Sequence, residues 1–200
     1  MLDRRTLVGG AVGLGLLAGA VIPLWRLSGG GGSFAVPETA SHGFERVKRL
    51  SAPKPLPLTI VHDVLGQAVP LPERVKGAPA VINFWATWCT PCIREMPALD
   101  RFAELAGGRG VVVLAVSQDR GGATVAKEFL DKERLTRLEA LADADGNAGR
   151  AWGVRGLPTT LFLDAEGWEV ARLEGMADWD AEAAWTMVDG LLRGAELPKR

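Results

Sequence analysis

The sequence predicts an α/β domain, a mixed β-sheet with helices on both faces. Three features carry that expectation. Ala80-Val81-Ile82-Asn83-Phe84-Trp85 and Val111-Val112-Val113-Leu114-Ala115-Val116 are near-continuous apolar runs of strand length, as in strands buried on both faces of a sheet. A helical segment over residues 91–105 lies between them and makes a βαβ unit. Thr159-Thr160-Leu161-Phe162-Leu163-Asp164 and Glu169-Val170-Ala171-Arg172-Leu173 then flank Ala165-Glu166-Gly167, a hairpin signal, ahead of a last helix over residues 178–192.

The remaining elements fill in around this frame. Leu58-Thr59-Ile60-Val61 and Ala68-Val69-Pro70-Leu71 flank Gly66-Gln67 and predict an N-terminal hairpin extension. Residues 124–133 place Val125, Phe129 and Leu130 on one helical face. Leu138-Glu139-Ala140-Leu141 reads as a short edge strand and residues 147–152 as a short helix. In the last helix Trp179, Ala183, Val188 and Leu191 are apolar positions. Pro97 lies inside the helix after the first strand and is expected to kink it.

Of the 200 residues, 48% are hydrophobic and 24% charged, a globular mix able to bury a core without disulfide staples. The net charge of -1 offers no basic surface for a polyanion, so nucleic acid is not an expected partner. The chain opens Met1-Leu2-Asp3-Arg4-Arg5, and no charge follows until Arg26. Residues 6–25 are long enough to span a bilayer. Ala18-Gly19-Ala20 is also a small-x-small cleavage candidate, and Arg4-Arg5 partly matches a twin-arginine signal. Five glycines and Pro23 make a buried soluble helix a poor reading. Residues 1–27 are therefore expected to be a membrane anchor or a cleaved signal, with the arginines left in the cytoplasm and the rest across the membrane. Ser28-Gly29-Gly30-Gly31-Gly32-Ser33 opens a flexible tether expected over residues 28–55, and the folded domain is expected over residues 56–195.

The chain has two cysteines, Cys89 and Cys92, in Trp88-Cys89-Thr90-Pro91-Cys92. Cys89 stands between a strand and a helix, where free backbone N–H groups and the helix dipole favour a thiolate. Cys92, nearly one turn on, is placed to attack a mixed disulfide at Cys89 and close the pair. Pro91 sits where a first-turn proline forfeits no helical hydrogen bond. Zinc would need two further ligands, and the histidines, His42 and His62, both lie upstream. Covalent haem would need His after Cys92, where Ile93 stands. A structural bridge over so short a loop gains little. The pair therefore reads as a redox centre with no metal and no cofactor. Glu95 shares a helical face with Cys92. It is either a buried acid that exchanges protons with Cys92 or a solvated helix charge. Leu157-Pro158-Thr159 opens a strand, and Pro158 is either a simple strand start or a cis proline facing the cysteines.

Phe84-Trp85-Ala86-Thr87-Trp88-Cys89-Thr90-Pro91-Cys92-Ile93-Arg94-Glu95-Met96-Pro97 resembles the active-site segment of the thioredoxin superfamily, in its TlpA/ResA branch of exported, often membrane-anchored thiol–disulfide reductases. Gly153-Val154-Arg155-Gly156-Leu157-Pro158-Thr159-Thr160 is similar to that family's cis-proline loop, and Gly175-Met176-Ala177-Asp178-Trp179 to the approach to its last helix. The resemblance covers residues 56–192. It implies a thioredoxin-like fold in which residues 118–150 are a central insertion. It implies that Cys89 attacks, Cys92 resolves, Glu95 is the active-site acid, and Pro158 is cis and binds partner backbone. Trp88, Thr90, Pro91, Leu157 and Thr159 would make the rim that meets the substrate. Asn83 stands where cytosolic thioredoxins carry a buried Asp, and an amide cannot shuttle protons, which moves that role toward Glu95.

The function implied is a protein-disulfide reductase on the periplasmic side of the cytoplasmic membrane, anchored or released. Its partners would be oxidised cysteine-containing proteins, in cytochrome c or cytochrome oxidase maturation, and its electrons would come from a membrane thiol donor. Two rivals use the same scaffold. A copper-site assembly factor carries CxxxC and a distal His, and this chain has CxxC with no His after His62. A tethered binding module without catalysis has no need of the intact Cys, Pro and Glu set. A peroxidase reading lacks a Thr-x-x-Cys site.

Overall fold

A computed structural model describes residues 43–192. Residues 1–27, the expected anchor or signal, and most of the expected tether lie outside the described residues. No helix among the described residues is long and apolar enough to cross a membrane.

Among the described residues eight strands, β1 (Lys48–Pro55), β2 (Ile60–His62), β3 (Ala68–Pro70), β4 (Ala80–Trp85), β5 (Val112–Ser117), β6 (Leu141–Ala142), β7 (Thr159–Leu163) and β8 (Trp168–Glu174), form one mixed sheet in the order β1-β8-β7-β4-β5-β6-β2-β3. At its centre lies β4 (Ala80–Trp85), six fully buried residues that pair in parallel with β5 (Val112–Ser117) and antiparallel with β7 (Thr159–Leu163). The strand period of two sends Val81, Asn83 and Trp85 to one face and Ala80, Ile82 and Phe84 to the other. The first face packs under α2 (Thr90–Gly107), α3 (Gly122–Lys132) and α5 (Glu182–Leu192), through Met96, Leu99, Phe102, Leu130 and Val188. The second packs on α1 (Leu71–Arg74), α4 (Asn147–Ala151) and Trp152, with Leu71, Leu141 and Leu161 in the same core. Each large apolar side chain removed from water contributes roughly 1.5–3 kcal/mol. The α/β fold with a hairpin extension and a central insertion is thus present. The hairpin is β2 (Ile60–His62) with β3 (Ala68–Pro70), and the insertion carries α3, β6 (Leu141–Ala142) and α4.

Several boundaries depart from the sequence reading. The tether does not run to residue 55. Phe44–Arg46 form a 3-10 turn, and β1 (Lys48–Pro55) pairs antiparallel with β8 (Trp168–Glu174) as the edge of the sheet. Its prolines are tolerated there because an edge strand leaves one row of N–H groups unpaired. Phe44 anchors the segment, edge-on to Trp179 at 5.3 Å between ring centroids. The strand expected over residues 138–141 is not an edge: β6 pairs with both β5 and β2, so the hairpin β2–β3 forms that border of the sheet. Leu71 starts α1 instead of ending a strand, and α5 begins at Glu182 after a turn in which Ala181 donates to the Asp178 carbonyl. The α2 helix continues as one element through Pro97.

Candidate redox site

The site is built at the C-terminal end of β4, where the chain turns into α2. Cys89 is the N-cap of that 18-residue helix, and its Sγ accepts from the backbone N–H of Cys92 at 3.3 Å. Thr90 and Pro91 are the first two helical residues and face solvent. The two cysteines are joined, with an S–S distance of 2.03 Å. Cys89 is 6% exposed and Cys92 fully buried, so only the first sulfur is open to a partner. A thiolate at Cys89 would occupy the anion-favouring end of the helix. Beside it the Trp88 ring is 68% exposed, an unusual position for so large an apolar group.

Asp119 holds the loop ahead of Cys89. It follows β5, is buried, and accepts from Thr87 N at 2.9 Å, Thr87 Oγ1 at 2.7 Å and Ser117 Oγ at 2.7 Å. The sequence reading missed it. An acid after a strand reads as a surface charge, and only the pairing of β4 with β5 brings it beneath Thr87.

Glu95 points inward. It is 3% exposed, one turn below Cys92, and sits against the polar side chain of the central strand. Asn83 Nδ2 donates to Glu95 Oε1 at 2.9 Å and also to Thr160 Oγ1 at 3.0 Å. The backbone N–H of Ala177 donates to Glu95 Oε2 at 2.8 Å. Burial pushes the Glu95 carboxyl up to about 7. The Ala177 N–H, the Asn83 amide, the Trp179 indole and the Arg46 guanidinium act the other way but do not offset burial. The Trp179 indole N–H has no hydrogen-bond partner among the described residues. Of the two readings left open for Glu95, the solvated helix charge is excluded. Asn83 does not shuttle protons, but it orients the acid, a role its place in the apolar run did not reveal.

The second loop closes the site from the other side. The Leu157–Pro158 bond is cis. The Pro158 carbonyl accepts from Gly175 N at 2.8 Å. Gly175 has φ +96°, and a Cβ there would stand 3.2 Å from an Arg46 nitrogen, so glycine is required where the chain turns to offer Ala177 N–H to Glu95. Leu157 is half-buried against the cluster that contains both cysteines. Thr159, expected on the rim, is turned inward, and its hydroxyl donates to the Gly156 carbonyl at 2.7 Å. Its side chain is therefore not offered to a partner. Pro158 too is buried, so Trp88, Thr90, Pro91 and Leu157 carry the exposed part of the rim.

The chain is similar to known thiol–disulfide oxidoreductases. Residues 52–168 match the AhpC/TSA family. The chain is 33% identical over 132 residues to the thiol:disulfide interchange protein DsbE of Pseudomonas fluorescens biotype C, covering 66% of this chain and 70% of that one. It is 32% identical over 156 residues to the thiol-disulfide oxidoreductase ResA of Bacillus anthracis, covering 78% of this chain and 86% of that one. Among solved structures, the exposed lipoprotein thioredoxin Etrx1 of Streptococcus pneumoniae strain TIGR4 aligns with a TM-score of 0.56 and 28% identity, over 66% of this chain and 99% of that one. StoA of Bacillus subtilis, at 21% identity and a TM-score of 0.54 over 65% of this chain and 96% of that one, shares the fold.

Proposed function

This chain belongs to the AhpC/TSA family and, within it, to the thioredoxin-like thiol–disulfide oxidoreductases, and from that membership we propose that it is an exported reductant of disulfides in particular partner proteins. The observation that carries the reading is the asymmetric pair at the head of α2, one sulfur reachable at the N-cap and the other enclosed above a buried acid.

Cys89, as the thiolate, attacks one sulfur of a partner disulfide. The partner's other sulfur leaves as a thiolate and takes a proton. The Cys92 thiolate then attacks Cys89 Sγ in the mixed disulfide. The Cys89–Cys92 bond closes, and the partner leaves as a dithiol. Two electrons have passed to the partner, and a dithiol donor must return them. Glu95, balanced near neutrality, accepts the Cys92 proton as that thiol becomes the attacking thiolate. Leu157, presented by the buried Pro158, meets partner backbone, and Trp88, Thr90 and Pro91 form the rest of the contact.

The direction follows from the leaving group. An oxidant stabilises its reduced thiolate, whereas here Thr90 and Pro91 bring no charge between the cysteines and an ionised Glu95 opposes a thiolate nearby. Residues 1–27, by their composition, would hold the domain at or send it across the cytoplasmic membrane, with a membrane thiol donor as electron source. Apocytochrome c and the copper-site proteins of cytochrome oxidase maturation are the partner classes that fit such a place. Equilibration of the pair against glutathione tests the direction: a potential below about -200 mV is expected, and one near -120 mV would overturn it.

A further inference from the structure

A groove of about 470 Å³ lies beside the redox site, with Trp88 and Leu157 both in its lining. Each is the chain neighbour of a residue of the site, Trp88 of Cys89 and Leu157 of the cis Pro158. Three arginines line the groove, Arg120, Arg150 and Arg155, and Asp145 is the one carboxylate among the lining residues. The whole chain has a net charge of -1, so this positive local balance is not a consequence of composition.

The arginines differ in how firmly they are held. Arg150 donates to the Asp145 carbonyl at 2.7 Å and to Asn147 Oδ1 at 2.8 Å, both at the start of its own helix. Arg155 reaches Glu174 at 3.2 Å, and that carboxylate is shared with Lys48 at 2.9 Å, so it does not neutralise the groove. Arg120 makes no hydrogen bond or ion pair with the described residues and faces solvent. A solvent-facing guanidinium in a groove that also holds the neighbours of Cys89 and Pro158, and left without a partner, is open to a carboxylate brought by another chain. Two of the three arginines come from the central insertion, residues 118–150.

We propose that this groove selects partner segments in which acidic residues flank the reactive disulfide, and that Arg120 is the residue that reads them. The proposal rests on the disulfide-reductase reading and names the chemistry of its substrate. The exposed Trp88 ring and the half-buried Leu157 supply the apolar contacts that seat the segment. The arginines decide which segment is seated.

The test uses the full chain, reduced, with three disulfide-bridged peptides that differ only in carrying Glu, Gln or Lys on both sides of the reactive cysteine. Hydroxyethyl disulfide, small and uncharged, reports the bare exchange chemistry. The Glu peptide is expected to oxidise the chain roughly 10-fold faster than the Gln peptide at low salt, and the Lys peptide slowest, as charge steering predicts. The ratio should shrink toward one at about 1 M salt, where screening reaches ~3 Å. In Arg120→Glu the order of the Glu and Lys peptides should invert, a ratio that cancels any general change in activity. Equal rates for the three peptides, or an order that Arg120→Glu leaves unchanged, would overturn the proposal while leaving the reductase reading intact. Failure of the peptides and of hydroxyethyl disulfide alike would remove the reductase reading, and the proposal with it.

Discussion

Glu95 receives two hydrogen bonds that favour its charge, from Asn83 and Ala177, and burial still lifts it to about 7. That balance makes stability depend on pH. Between its ordinary value of 4.5 and about 7, the folded chain holds a proton that the unfolded chain has released. Stability is therefore full at low pH and falls as pH rises through that window, by about 3 kcal/mol at 1.36 kcal/mol per pKa unit. The denaturation midpoint of the oxidised chain is expected to drop between pH 5 and pH 8, and Glu95→Gln to flatten that drop. A parent profile that is flat or rises would contradict the account. The cysteines were legible because CxxC before a helix has few structural explanations. The burial of Glu95 was not, because helical spacing says which residues share a face and not what that face meets. Asn83 explains the difference: one polar residue in an apolar strand, placed by strand alternation under α2, receives the acid.

The elements divide in the same way. β4 and β5 could be read from sequence because a strand covered on both faces carries a near-continuous apolar run. β1 could not: Lys48–Pro55 is exposed on nearly every residue, carries no alternation, and contains two prolines that an edge tolerates. Asp119 shows how elements cooperate at the site, because a residue that follows β5 fixes the loop that follows β4. Asp119→Ala leaves Thr87 N–H without its acceptor and removes the partner of two hydroxyls. We expect a loss of about 2–4 kcal/mol in denaturant unfolding. We also expect slower exchange with protein disulfides, measured as the second-order rate of oxidation, because the loop ahead of Cys89 loosens. A variant with parental stability and rate would show that Asp119 holds nothing that matters.

At the scale of the whole molecule, the sheet joins two functions that the sequence reading assigned to separate pieces. The segment read as the end of the tether is structural. Phe44 packs on Trp179, Trp179 lies beside Glu95, and Arg46 donates to the Met176 carbonyl next to the Ala177 that binds the acid. A chain begun at Leu56 loses β1 and Phe44 together. It is expected to unfold at least ~2 kcal/mol more easily than one begun at Gly43, the worth of one buried aromatic side chain. Equal denaturation midpoints would return residues 43–55 to the tether. The remaining claim is the division of labour between the two sulfurs, on which the direction of electron flow, the role of Glu95 and the use of the groove all depend. It is tested by mixing the Cys92→Ser and Cys89→Ser variants separately with oxidised partner proteins and resolving the products on a non-reducing gel. Cys92→Ser should accumulate mixed disulfides through Cys89, because no second thiol remains to release them, and Cys89→Ser should accumulate none, because its one thiol is buried. Trapping by Cys89→Ser and not by Cys92→Ser would contradict the assignment.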